Sequence, residues 1–174
     1  LPCYNEELNI CVSIDEWNAQ KEKLEAGGYS LTVVGIDDCS KDNTKAVISS
    51  KTEQYDNVIL FPHEVNKGLV GGLNSAISYF LENGEDGDYM VLMDGDNTHN
   101  PVYIHDMLDK LTSKKKDCVI ASRYCDTSGV VGVAAHREFM SDMAKLYYSF
   151  MLRVPGVKDY TCGYRVYTYP IIKK

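Results

Sequence analysis

From Leu1 to about residue 123, short runs rich in β-branched residues alternate with helical patterns, and that alternation leaves few architectures open. Leu1-Pro2 reads as the end of a strand. Asn5 is expected to cap a helix whose apolar face is Ile10, Ile14, Trp17 and Leu24, stopped by Gly27-Gly28. Tyr29 to Ile36 reads as a buried strand. The polar turn Asp37 to Asn43 leads into a helix with Ala46, Val47 and Ile48 inward, and Val58 to Phe61 forms a strand closed by Pro62. Leu69, Leu73, Ala76, Ile77 and Phe80 recur at helical spacing up to Asn83-Gly84. Tyr89 to Met93 is the next strand. A helix with Pro101 in its first turn then places Ile104, Met107, Leu108 and Leu111 inward, and Cys118 to Ser122 is a further strand. The order predicts an α/β fold with a mostly parallel central sheet flanked by helices, in one domain over 1–174.

Composition narrows the function. The chain has 174 residues, 44% of them hydrophobic, enough for a core, and a net charge of −7. An acidic balance argues against nucleic acid as a partner, because phosphate-backbone binding leaves a basic footprint. It leaves room for a nucleotide held at one local site. No apolar run approaches the length of a membrane span. The six cysteines show no metal-type grouping and read as reduced thiols in a cytosolic setting. The opening Leu1-Pro2 and the close at Lys174, just after an apolar run, are the ends expected of a fragment cut from a longer protein.

In such a sheet, ligands bind outside the carboxyl ends of the strands. Acidic residues gather there: Asp37 and Asp38 after one strand, Asp94 and Asp96 after another, with Arg123 following a third. Asp94-Gly95-Asp96 sets two like charges one residue apart. A hard divalent ion, Mg2+ or Mn2+, bridging to a diphosphate would relieve them. The alternative is a solvated turn in which Asp96 or Asn97 caps the next helix. Asp37 and Asp38 can accept hydrogen bonds from ribose or base N–H groups. They come too early to cap the following helix, whereas Ser40 and Asp42 read as its caps.

Asn66-Lys67-Gly68 opens a helix carrying Gly71 and Gly72; this is either an anion site at a helix N-terminus or a close helix-to-sheet contact. Arg123, Arg137 and Arg165 are candidate phosphate clamps, each also readable as a solvated surface cation. Of His63, His99, His105 and His136, only His99 beside the acidic turn is a site candidate, and no spacing suits zinc. Glu138 to Arg153 carries Phe139, Met143, Leu146, Tyr147, Phe150 and Met151 on an amphipathic helix. Core packing is the first reading of that face and a lipid interface the second.

Taken in order, these segments resemble glycosyltransferase family 2, inverting enzymes with the GT-A nucleotide-diphospho-sugar transferase fold. The matching segments are Leu1 to Glu7, Ile36 to Thr44, Asn66-Lys67-Gly68, Asp94 to Pro101, Ser122-Arg123-Tyr124, Arg137 with Ser141, and Asp159 to Arg165. The later ones are most similar to the dolichyl- or polyprenyl-phosphate sugar synthase branch. The resemblance implies that Pro2, Tyr4, Glu6, Ile36 and Asp38 hold the nucleoside and that Gly95 lies against the nucleotide. It assigns Asp94 and Asp96, with Thr98 nearby, to the metal and diphosphate, and Arg123, Arg137 and Ser141 to the acceptor phosphate. Asp94, Asp96, Arg123 and Arg137 are then the catalytic set.

The implied reaction moves a sugar from a nucleoside diphosphate to an acceptor with inversion. A polyprenyl phosphate is already anionic and needs no base. A glycan hydroxyl needs one, for which Asp159 is the candidate. The setting implied is the cytoplasmic face of a membrane, with a peripheral contact. Two other classes stay open: a nucleotidyltransferase, whose Gly-rich opening Pro2 to Glu6 does not match, and a sugar-nucleotide binding module without turnover.

Overall fold

The computed structural model describes residues 1–122, 124–125, 143, 146–154 and 156–174. Strands β1 (Pro2–Cys3), β2 (Val33–Asp37) and β3 (Val58–Pro62) form a parallel sheet in that order. Pro2 lies opposite Ile36, and Val33 opposite Val58. β2 starts four residues later than its composition suggests, because β3 supplies no partner before Val33. In a second sheet, β4 (Tyr89–Leu92) and β5 (Cys118–Ile120) both pair antiparallel with β6 (Arg165–Thr168), which lies between them. β4 and β5 therefore run in the same direction, and the α/β architecture holds with one strand inserted against it.

The sheets meet where the turn after β4 packs against β1. A β-carbon built on Gly95, just after β4, would lie 2.7 Å from Cys3 Sγ and 3.3 Å from Ile10 Cδ1, so only glycine lets that turn close on β1.

The helices follow the expected pattern with corrections at their caps, breaks and buried faces. The first helical segment is two helices, α1 (Ile10–Asn18) and α2 (Lys21–Ala26), broken where the Gln20 N–H bonds back three residues to Trp17 O. Ile10, Ile14, Trp17 and Leu24 are buried as expected. The stop at Gly27-Gly28 is a left-handed cap: Gly28 has φ +84° and the Tyr29 N–H reaches Leu24 O. Asn5 does not cap α1. With φ 57° it crosses to the Ser40 loop, its N–H donating to Ser40 Oγ and its Oδ1 accepting from Lys41 N–H. Ser40 is thereby taken out of capping, while Asp42 Oδ1 accepts from Thr44 N–H at the start of α3 (Thr44–Gln54).

α3 packs through Thr44, Ile48 and Lys51, leaving Ala46 exposed. In α4 (Gly68–Asn83), Leu69 is 66% exposed because the helix meets β1 one turn later, at Gly72, where a β-carbon would sit 3.2 Å from Pro2 Cβ. A 3-10 turn over Pro101–Tyr103 leads into α5 (Ile104–Ser113), whose Ile104, Met107, Leu108 and Leu111 are all buried. Helix α6 covers 146–152 and α7 covers Tyr169–Ile172. The core-packing reading of α6 is overturned: Leu146, Tyr147, Phe150 and Met151 are all exposed, as is Met143 ahead of them. Phe139 lies outside the described residues. The centre of the core is Tyr164, fully buried, edge-on to Trp17 and donating its hydroxyl to Pro101 O at 3.2 Å.

Candidate functional site

The parallel pairing of β1 with β2 brings two of the acidic segments together. Pro2 sits beside Ile36, and the Asp38 N–H donates to Cys3 O at 2.9 Å. Tyr4 then projects from the rim, 41% exposed, while Ile36 is buried beneath it. Glu6 is held by its own backbone: its N–H donates to Thr44 Oγ1 at 2.7 Å and its carboxylate accepts from Asn9 Nδ2. The five residues assigned to the nucleoside by resemblance, Pro2, Tyr4, Glu6, Ile36 and Asp38, thus share one corner, at the carboxyl ends of β1 and β2.

Asp38 is buried and heavily engaged. Its Oδ1 accepts from His63 Nδ1 at 2.7 Å and from the Lys67 N–H at 2.8 Å, and its Oδ2 accepts from the Gly68 N–H at 2.8 Å. Its own carbonyl accepts from Asn66 Nδ2. Burial alone would push the Asp38 pKa up, but these donors outweigh it and hold the carboxyl below its ordinary range. The N–H groups of Lys67, at the cap of α4, and of Gly68, its first residue, are therefore directed at Asp38. His63 is a residue that sequence reasoning passed over. It is buried, with Nε2 2.8 Å from Ser75 Oγ, and only its place at the end of β3 hinted at the role. Asp37, also buried, accepts from the Ser40 N–H at 3.3 Å.

The Asp94-Gly95-Asp96 turn lies next to this corner, at the end of β4. Asp94 is half-buried, and no described residue donates a hydrogen bond to its carboxylate. Burial first, then the charge of Asp96, raises its pKa; His99 pulls the other way. Asp96 is fixed by its own turn, Oδ1 accepting from both the Thr98 N–H (3.1 Å) and Thr98 Oγ1 (2.7 Å). That turn is the capping reading in part, but it leaves Asp94 unexplained. A desolvated carboxylate without a donor, beside a second one, is a donor set for a hard cation that takes its other oxygens from phosphate and water. Among the described residues no group of three or more His, Cys, Asp or Glu side chains could hold a metal.

The far wall is the turn Asp159 to Gly163. Asp159 is buried, and its Oδ1 accepts from Thr161 N–H, Thr161 Oγ1 and Cys162 N–H. Arg165 braces this turn, donating from Nε to Cys162 O and from Nη2 to Tyr160 O, both at 2.7 Å. Two of its guanidinium nitrogens are thereby committed to bracing this turn, which weighs against a phosphate-clamp role. Arg123, Arg137 and Ser141, the implied acceptor-phosphate residues, lie outside the described residues.

Comparison with known proteins agrees with this geometry. The profile of Glycosyl transferase family 2 matches residues 1–174. An uncharacterised protein of Methanocaldococcus jannaschii is 26% identical over 172 residues, covering 95% of this chain and 69% of its own. A dolichyl-phosphate beta-glucosyltransferase of Trichomonas vaginalis is 26% identical over 181 residues, covering 97% of this chain, which spans 52% of that relative's length. Among solved structures, glucosyl-3-phosphoglycerate synthase from Mycobacterium tuberculosis, in complex with Mn2+, uridine-diphosphate and phosphoglyceric acid, superposes with a TM-score of 0.67 at 16% identity. That match covers 96% of this chain and 53% of the other, and it shows a shared fold. With the profile running the length of the chain over a rim of this shape, the protein belongs to glycosyltransferase family 2.

Proposed function

We propose that this chain is the donor-binding catalytic core of an inverting glycosyltransferase that moves a sugar from a nucleoside diphosphate to a polyprenyl-type phosphate. The observation that carries the reading is Asp94: half-buried beside Asp96, with no donor among the described residues, on the same rim as Tyr4 and Asp38. The names of the dolichyl-phosphate relatives support the acceptor class.

In this reading Tyr4 and Pro2 face the nucleoside, Ile36 supports them from the buried side, and Asp38 is braced behind them. Asp94 and Asp96 hold a divalent ion, Mg2+ or Mn2+, with Thr98 locking Asp96 in orientation. When bound, that ion supplies charge neutralisation at the departing diphosphate, where negative charge grows. A phosphate acceptor arrives already anionic, so this chain has only to position it and balance its charge, the task assigned to Arg123, Arg137 and Ser141. A hydroxyl acceptor would need a base, and Asp159 is a poor one: it is 1% exposed and its Oδ1 already accepts three hydrogen bonds within its own turn.

The exposed apolar face of α6 supports a lipid-borne acceptor and a peripheral contact at the cytoplasmic face of a membrane. Among the described residues no helix is long and apolar enough to cross one.

The test is a thermal-shift screen of UDP-, GDP- and dTDP-sugars with Mn2+, followed by transfer assays with a polyprenyl phosphate in detergent and with a free glycan. The matching donor should stabilise the fold by about 2–3 kcal/mol at a hundred times its Kd. Stabilisation by no donor, or transfer to the glycan alone, would overturn the reading.

A further inference from the structure

Gly163 ends the Asp159 turn with nothing on its Cα, and the space a side chain would fill belongs to Asp94. A β-carbon built there would lie 2.5 Å from Asp94 Oδ2, 3.1 Å from Cγ and 3.2 Å from Oδ1; these are its three nearest neighbours. The φ of Gly163 lies outside the left-handed region, so backbone conformation does not call for glycine at this position. The carboxylate does.

We propose that Gly163 is a positioning residue for the cation site: its missing side chain lets the Asp159 turn close on Asp94 and sets where that carboxylate points. The inference rests on the reading of Asp94 as a metal ligand. What makes it more than contact is the stiffness of the turn. Asp159 Oδ1 gathers three donors from Thr161 and Cys162, Arg165 clamps the carbonyls of Tyr160 and Cys162, and the Cys162 thiol donates to Ala121 O at 3.0 Å. The residues on either side of Gly163, Cys162 and Tyr164, are buried. The turn is the stiffer partner, and the crowded atom is the free end of the Asp94 side chain, so Asp94 gives way first.

The magnitudes decide the outcome. Real β-carbon contacts essentially never fall below 3.0 Å, so an alanine at 163 drives Oδ2 away by about 0.5 Å. Metal–oxygen distances tolerate only about 0.2 Å. Asp94 and the turn carrying Asp159 thus behave as one mechanical unit, although they come from different strands of the sheet.

The experiment compares Mn2+ binding, read by the free-ion EPR signal, in the parent chain, Gly163→Ala, Asp94→Asn and the double variant, with metal-free melting temperatures as the folding control. Gly163→Ala should weaken Mn2+ by about 10–100-fold, the range for residues that orient a ligand. The double variant should bind no worse than Asp94→Asn alone. In the unsubstituted chain, titration with Mg2+ followed by amide NMR should move Gly163 at the same midpoint as Gly95. Parent-like Mn2+ binding by Gly163→Ala with loss in Asp94→Asn overturns the role of Gly163 and leaves the cation site standing. Parent-like binding by Asp94→Asn, or none by the parent, overturns the site itself. If Gly163→Ala does not fold, the NMR titration decides, and a Gly163 amide that stays still while Gly95 moves overturns the proposal.

Discussion

His63 Nδ1 lies 2.7 Å from Asp38 Oδ1, and through its other nitrogen, 2.8 Å from Ser75 Oγ, the same ring ties the end of β2 to the second turn of α4. An ionised carboxylate can only accept, so a ring proton sits on Nδ1, and Nε2 pairs with the Ser75 hydroxyl, which can donate or accept. The order Ser, His, Asp is that of a nucleophilic triad, but here Asp38 also receives the Lys67 and Gly68 N–H groups. The chain of bonds fixes a turn.

Removing the ring should therefore act on stability and on the nucleoside corner together. His63→Ala leaves a buried carboxylate short of one donor, at a cost of about 1–3 kcal/mol, while Ser75→Ala removes one outer bond at about 1 kcal/mol. Urea unfolding measures both. Ser75→Ala costing as much as His63→Ala would contradict this order of support.

Acid should find the same joint. The folded pKa of Asp38 lies below its unfolded value: burial raises it, but His63 and the two N–H groups lower it further than burial lifts it. A depressed carboxylate contributes stability that is whole above the unfolded pKa, about 3.9, and is lost as pH falls through the folded one. The urea midpoint should fall steeply below about 4. Asp38→Asn should lower the plateau and flatten that fall. A variant with the parent's acid slope would show that Asp38 is not the titrating joint.

These bonds mark where sequence reading ends. The inner face of α5 was legible because Ile104, Met107, Leu108 and Leu111 repeat at helical spacing, which is a local property. The acidic rim was legible because strand ends can be read from apolar runs. The donors to Asp38 were not, since they come from just after β3 and from the start of α4, and no spacing in the chain announces them. Strand β6 escaped for a related reason: it follows the end of the strand–helix alternation, and its place between β4 and β5 is set by pairing partners distant in sequence. Gly163 against Asp94 belongs to the same class. α6 misled in the opposite sense, since an amphipathic pattern marks an apolar face without saying what covers it.

Asp94 should separate stability from function. Its pKa is raised by burial and by Asp96, so at neutral pH the ionised form is held at a cost to the fold. Asp94→Asn keeps the shape and removes the charge, and the metal-free melting temperature should stay level or rise while Mn2+-dependent donor binding disappears. The usual expectation for a half-buried polar substitution is a loss of stability. A clear drop in melting temperature without metal would mean that Asp94 has a structural partner, and the cation reading would lose its footing.

The last prediction concerns α6. Leu146, Phe150 and Met151 are each more than half exposed, and Arg153 stacks on the Phe150 ring at 5.3 Å, a pairing of apolar body and charged tip suited to a water–lipid boundary. The helix also touches the site, because Tyr148 lies 6.1 Å from the Tyr160 ring in the Asp159 turn. Burying one such side chain in lipid contributes about 1.5–3 kcal/mol, so Leu146→Glu or Phe150→Glu should weaken binding to phosphatidylcholine vesicles at least about tenfold. Zwitterionic vesicles are the right probe for a chain of net charge −7, which anionic lipid repels. Exposed positions tolerate substitution within about 0.5 kcal/mol, so the melting temperature and its shift with a donor sugar should not change. Vesicle flotation checks the first expectation and thermal shift the second. Flotation unchanged by both substitutions would remove α6 from the membrane, and an altered donor shift would place its role inside the nucleotide site instead.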